Sequence, residues 1–188
     1  MPPKIVFSRE DVIQAAYDIV RAQGLKKLSA RKIAVKLKSS TAPVYSQFSS
    51  MKELELEVLG KAEELLLQYT RKPYTDRVFL NMGTGYVIFA REHRELFRAL
   101  FLGKDVSKGV FAEFKDYIRQ DMLKDSRFIP MSVPDREALL QQMWIFTHGL
   151  AALVCVGLVE DNSDESISAA ILDVGTIVVA AALAKMPK

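Results

Sequence analysis

The sequence predicts an all-α protein: a three-helix N-terminal domain over residues 1–50, and a larger helical domain over residues 51–188 entered by a long helix. Three observations predict it. Apolar residues beyond residue 73 recur at helical spacing with few strand signals. Cap residues precede several apolar-periodic runs, and Gly24 and Lys72-Pro73 follow two of them. Two short helical patterns are separated only by Lys38, Ser39 and Ser40. With 49% apolar residues the chain has ample material for a core, and glycine and proline are sparse.

The first helix is expected over residues 8–23. Ser8 is placed as N-cap, Asp11 takes the third helical position, and Phe7 is placed to staple onto Val12. Val12, Ala16, Ile19 and Val20 share one face, and Gly24 stops the helix. Leu28 and Ser29 repeat that grammar with Ile33 as staple partner. The second helix turns Ile33, Ala34 and Leu37 inward. Ser40 or Thr41 caps the third, with Pro43 in its first turn, where a missing N–H costs little. Val44 and Phe48 point back to the core. A fourth helix runs over residues 51–69, with Leu54, Val58 and Leu65 apolar.

Five more helices are expected near residues 76–92, 94–102, 110–123, 135–159 and 164–185. The breaks between the later ones fall at residues 103–109, 126–134 and 160–163. Residues 143–159 and 167–184 are long apolar runs, but Thr147, His148 and Asp173 interrupt them, and a spanning helix needs about 20 apolar residues. They read as helices buried in protein, with no membrane partner. The lone cysteine, Cys155, reads as a buried thiol in a reducing compartment, and residues 1–11 carry no apolar leader core. The expected location is the cytoplasm.

Charge is unevenly distributed. Residues 1–52 carry ten Lys/Arg against three Asp/Glu, and the remaining residues carry 16 against 20. A basic front on a slightly acidic body points to a polyanion partner for the front alone.

Residues 29–48 have the form of a helix-turn-helix DNA reader. Arg31 and Lys32 oppose the dipole of the second helix, a placement that phosphates would compensate. With Lys36 and Lys38 they supply salt-dependent affinity, and Lys52 is a further candidate contact to phosphate. Ser29 and Ser40 add hydroxyls for phosphate. Thr41 and Ala42 are short, so the third helix can approach base edges, where both can meet a thymine methyl, and Pro43 beside them is a further DNA-binding candidate. Tyr45, Ser46 and Gln47 can donate to phosphate or read bases from the next turn.

Residues 8–54 resemble the DNA-binding domain of TetR-type transcriptional regulators. The resemblance rests on Ala15-Ala16 and Gly24 in and after the first helix, Ile33-Ala34, the Tyr45-to-Phe48 reading helix and Leu54. There are departures. Lys38 stands where the family usually has a turn glycine, and Ser39 where a hydrophobic residue is common. Met51 stands where a phosphate-binding lysine is frequent. Lys52 lies one place later, a rotation of about 100° on a helix.

The resemblance implies a homodimeric, ligand-responsive regulator, usually a repressor. It would bind a near-palindromic double-stranded operator and be released by a small effector in the C-terminal domain. Met82, Tyr86, Phe89, Phe97, Phe101, Phe114, Met143, Trp144 and His148 are the candidate pocket residues; their apolar character suits a hydrophobic effector. Plain core packing, or a satisfied interior role for His148, explains the same residues. His93, among charged neighbours, reads as a solvated helix end. The last two helices are apolar over more than half their circumference, so a second subunit is expected to cover them. Leu150, Leu153, Val154, Ile171, Val174 and Val178 are the candidate interface. Residues 144–152, WIFTHGLAA, are similar to the family's penultimate helix.

Two histidines and one cysteine give no metal-ligand spacing, and no catalytic triad or phosphate loop is present, so neither enzyme activity nor a cofactor is expected. Two alternatives stay open. One is a DNA-binding dimer without a small-molecule ligand. The other is a helical carrier or enzyme whose helical hairpin does not bind DNA.

Overall fold

The computed structural model describes residues 7–103 and 108–184, and all regular structure among them is helical. The helices are α1 (Arg9–Gln23), α2 (Ala30–Lys36), α3 (Ala42–Gln47), α4 (Met51–Thr70), α5 (Val78–Glu92), α6 (Arg94–Phe97), α7 (Lys108–Met122), α8 (Val133–Cys155) and α9 (Asp164–Leu183). A π-helical turn, Arg98–Leu102, continues α6.

The chain forms two compact units. Met1–Glu64 with Glu95–Val110 make the first, and Leu65–Arg94 with Phe111–Lys188 make the second. The sequence expectation placed a boundary at residues 50 and 51, where α4 begins. The first half of α4 instead packs with the first unit. Arg9 reaches Glu57 at 2.8 Å, Lys61 reaches Glu10 at 2.7 Å, and Leu54 and Val58 are fully buried. A helix entry marked by Ser49 and Ser50 is a local signal; a domain limit follows from packing.

Local chemistry explains the first unit. Ser8 Oγ accepts the Asp11 N–H at 3.1 Å while the Asp11 carboxylate accepts the Ser8 N–H at 2.8 Å, a complete capping box. Gly24, at φ +84°, closes α1 by donating its N–H to Val20. Ser29 caps α2 through the Lys32 N–H at 3.3 Å. Lys38 has φ +52° and is the one non-glycine residue with positive φ among the described residues. Ser40 Oγ accepts the Ala42 N–H at 3.3 Å, and Thr41 occupies the cap position of α3. Arg9 lies over the ring of buried Phe48, 4.6 Å from its centroid.

In the second unit α5 packs against α8 and α9, which also pack on each other. Asn81 closes the turn before α5: its Oδ1 accepts the Thr75 N–H at 2.7 Å and its Nδ2 donates to the Thr75 carbonyl at 2.9 Å. Ser132 and Ser163 cap α8 and α9. α8 ends at Cys155, short of the expected residue 159, because Gly157 adopts φ +78°. Its N–H donates to Val154 at 3.1 Å and that of Leu158 to Leu153 at 3.0 Å, a two-bond C-terminal cap.

His93 departs from the expectation of a solvated helix end. It is buried, with Nε2 3.1 Å from the Tyr69 hydroxyl and its ring edge-on to that of Tyr69. Cys155 is fully buried, as expected, with Sγ 3.7 Å from the carbonyl of Arg94. α8 and α9 are long and apolar enough to cross a membrane, with mean hydropathies of 1.4 and 2.0. Only 11% of the most apolar window of α9 is buried within the chain, so much of its apolar surface faces outward.

Candidate functional site

The α2-turn-α3 segment buries one side and exposes the other. Ile33, Ala34, Val44 and Phe48 are buried, which fixes both helices on α1. The same anchoring turns Ala42, Tyr45 and Ser46 outward, with Thr41 and Pro43 half-buried beside them. Tyr45 is 63% exposed, an aromatic side chain with no burial to account for it. Ser46 Oγ donates to the Pro43 carbonyl at 3.0 Å, and Gln47 Nε2 to the Phe7 carbonyl at 3.2 Å. Gln47 is thus tied back to the start of α1, whereas Tyr45 is not.

The expected cations divide into two groups. Arg31 and Lys38 are exposed and make no ion pair among the described residues. Lys32 donates to the Gln23 side chain, and Lys52 lies 3.5 Å from Glu55. Ser29 is half-buried, its hydroxyl occupied as the α2 cap. Ser40 is exposed, its hydroxyl turned to the Ala42 N–H.

The second unit holds a cavity of about 80 Å³ between α5, α7, α8 and α9. Of the candidate pocket residues, Met82, Tyr86, Phe114, Met143 and Trp144 line it. Phe89, Phe97, Phe101 and His148 are not in its wall. Phe89 and Phe97 are fully buried core residues, and Phe97 and Phe101 belong to the first unit. Periodicity groups aromatic residues by helix face and cannot show which of them meet. Phe79, Ile118 and Leu140, which the sequence does not single out, complete the apolar wall together with Ile171, a residue expected at the subunit interface instead. Ordinary aliphatic and aromatic spacing gave no signal for them.

His148 supports the wall from behind. Its Nδ1 lies 2.9 Å from the Tyr86 hydroxyl, and its ring stacks on Trp144 at 5.2 Å between centroids. Trp144 meets Tyr86 edge-on at 5.2 Å. Burial pushes the Tyr86 phenol well up and the His148 imidazole down, so both are neutral at pH 7. Polar groups gather at one rim. Arg119 donates to both oxygens of Glu137, at 2.6 and 3.0 Å. That pairing drives the guanidinium pKa up and the Glu137 carboxyl pKa down. Lys115 and Gln141 complete the rim, and Thr147 lies in the wall.

The candidate interface residues are not all available to a partner. Val154 and Ile171 are buried within the chain itself, which corrects their assignment to an outer face. Both turn toward the chain's own core, and Val154 is rotated about 100° from exposed Leu153. Leu153 is exposed, and Leu150, Val174 and Val178 are half-buried. The outer row of α8 is Ile145, Gly149 and Leu153, four residues apart, and that of α9 centres on Ile177. Among the described residues no three His, Cys, Asp or Glu side chains come together as metal ligands would.

Neither a protein-family model nor a curated protein matches the sequence. Among solved structures the chain is similar to a TetR-family transcriptional regulator from Streptomyces coelicolor. The similarity covers 95% of this chain and 89% of that one, at TM-score 0.70 and 20% sequence identity. The chain therefore has the all-α fold of TetR-type regulators.

Proposed function

We propose that this protein is a cytoplasmic, homodimeric transcriptional repressor that places α3 in the major groove and releases its operator when a small molecule occupies the cavity. The observation that carries the reading is the division of α3. Val44 and Phe48 are buried, while Ala42, Tyr45 and Ser46 face outward, and Arg31 on α2 and Lys38 in the turn are exposed with no ion pair among the described residues. Thr41 and Ala42 are short enough for the backbone to approach base edges, and Tyr45 reaches phosphate or the next base. Lys52 supplies a further phosphate contact in place of the residue at Met51.

The outer row Ile145, Gly149 and Leu153, with Ile177 on α9, supports dimerisation through a four-helix bundle. A two-fold axis then requires a near-palindromic operator with half-sites about one helical turn apart. Helix α4 is continuous from Met51 to Thr70, so a shift of its last turn is carried toward Leu54 and Val58. The effector must bind the released conformation more tightly by the free energy of DNA affinity that is lost.

A second reading, a DNA-binding dimer without an effector, is favoured by one observation. At about 80 Å³ the cavity alone is smaller than the roughly 300 Å³ at which ligand pockets begin. Selection of random duplex DNA on the purified protein at moderate salt tests what both readings share. A two-fold symmetric motif is expected. Retention without a motif that vanishes as salt rises would reject both.

A further inference from the structure

We propose that the cavity and a groove beside it form one tandem site for a slender amphiphile, its hydrocarbon chain in the cavity and its carboxylate at Arg77. The proposal rests on the ligand-responsive reading above and names the chemical class of the effector.

The groove, about 250 Å³, runs between the start of α5 and the C-terminal half of α9. Phe79, Met143 and Ile171 line both spaces and so form the partition between them. Together the two spaces reach the lower end of ligand-pocket size, which the cavity alone does not. Met143 is an unbranched, adaptable side chain, suited to moving aside in such a partition.

Two mid-helix glycines open this region. A Cβ at Gly83, in the cavity wall, would stand 3.2 Å from Ile171 Cγ2. One at Gly175, in the groove, would stand 3.5 Å from Met143 Cε. Each glycine costs about 1 kcal/mol of helix propensity relative to alanine, and each leaves space beside a partition residue. A chain threading past three side chains must be narrow and flexible. Leu80, Leu172, Val179 and Leu183 give the groove the same apolar lining as the cavity.

Charge selects the end group and its position. The groove lining contains Arg77 and Arg127 and no carboxylate. Arg127 is already paired with Asp125, at 2.6 and 2.9 Å. Arg77 is exposed and makes no ion pair among the described residues. The cavity lining carries Lys115 and Arg119, but Glu137 lies beside them and holds Arg119, and its charge would repel an anion there. An anionic head therefore belongs at Arg77, where a charge-assisted hydrogen bond is open to it.

Trp144 is the chain's one tryptophan and lies in the cavity wall, so its emission reports occupancy directly. Dodecanoate, dodecanol and dodecyltrimethylammonium would be titrated below the concentrations at which they form micelles. Dodecanoate should change Trp144 emission saturably and bind roughly tenfold more tightly than dodecanol, with the cation weakest. Arg77→Gln, a change at an exposed position, should remove the advantage of the acid and leave dodecanol unchanged. Gly175→Leu should weaken acid and alcohol alike. Equal affinity for acid and alcohol, an unchanged dodecanoate affinity in Arg77→Gln, or no emission change with any probe would overturn the proposal. Operator retention measured on the same preparations separates the two readings. Dodecanoate binding without operator binding fails the regulator reading alone, and operator binding without dodecanoate binding fails this site alone.

Discussion

Gly85 lies against the backbone of Tyr69: a Cβ at Gly85 would stand 2.1 Å from the Tyr69 carbonyl oxygen and 2.8 Å from Cα of Thr70. The middle of α5 thus touches the last turn of α4 with no side chain between them. The same helix supplies Phe79, Met82, Gly83 and Tyr86 to the cavity wall. Any displacement of that wall bears directly on the end of α4. A backbone carbonyl cannot rotate away as a side-chain tip can, so the contact has little tolerance.

Gly85→Ala is therefore expected to destabilise the protein by about 3 kcal/mol, the upper range for overpacking. Gly83→Ala, which meets side-chain atoms alone, Ile171 Cγ2 at 3.2 Å and Thr147 Oγ1 at 3.7 Å, should cost less than about 1 kcal/mol. Urea unfolding of the two variants checks the contrast. Equal stabilities would show that α5 can shift off Tyr69.

Lys38 pays for its φ of +52° in backbone strain. Lys38→Gly should raise stability by about 0.5 kcal/mol, the relief being partly offset by the greater freedom of glycine in the unfolded chain. If Lys38 contacts phosphate, the same variant should lower the slope of log affinity against log salt by about one. Thermal unfolding and DNA titration at several salt concentrations check both effects. A less stable variant would show that the turn does not strain Lys38.

His148 gives the protein a pH dependence. Burial lowers its pKa below the ordinary 6.5, so the unfolded chain binds this proton more readily. Its contribution to stability is fully present above pH 6.5 and is lost as pH falls through the folded pKa. His148→Gln should flatten the decline between pH 7 and pH 5 relative to the parent, measured by urea midpoints across that range. Parallel profiles would place the decline on other groups.

Much of the first unit was legible because its determinants are local. Ser8, Asp11, Gly24 and Ser29 act on backbone groups three or four residues away, and the strain at Lys38 follows from the glycine usual at that turn. The second unit was legible as helices and less so as surfaces. His93 has Arg91, Glu92, Arg94 and Glu95 as sequence neighbours, yet Tyr69, 24 residues earlier, buries it. Val154 and Ile171 sit on helices apolar almost all round, where composition cannot say which side turns inward. Phe97 and Phe101 are among the pocket candidates because aromatic content alone does not reveal that residues 95–103 return to the first unit.

The outer faces of α8 and α9 carry the dimer prediction. Ile145 is 63% exposed and Ile177 72%, so neither supports the fold of its own chain. The double variant Ile145→Glu, Ile177→Glu should sediment as a monomer at concentrations where the parent is a dimer, with unchanged helical circular dichroism. A dimer of undiminished stability would place the interface elsewhere.

The central claim is that α3 reads sequence, and the most direct measurement changes α3 and asks whether the sequence read changes with it. Random-duplex selection would be run on the parent, on Thr41→Ala and on Tyr45→Ala, all at one salt concentration. Tyr45 is 63% exposed, so its loss should cost under about 0.5 kcal/mol of stability. The account predicts that base preference changes at particular positions, the same in both half-sites and equidistant from the dyad. An unchanged motif bound with uniformly lower affinity would contradict it, leaving α3 as a phosphate contact and the reading of bases to another element.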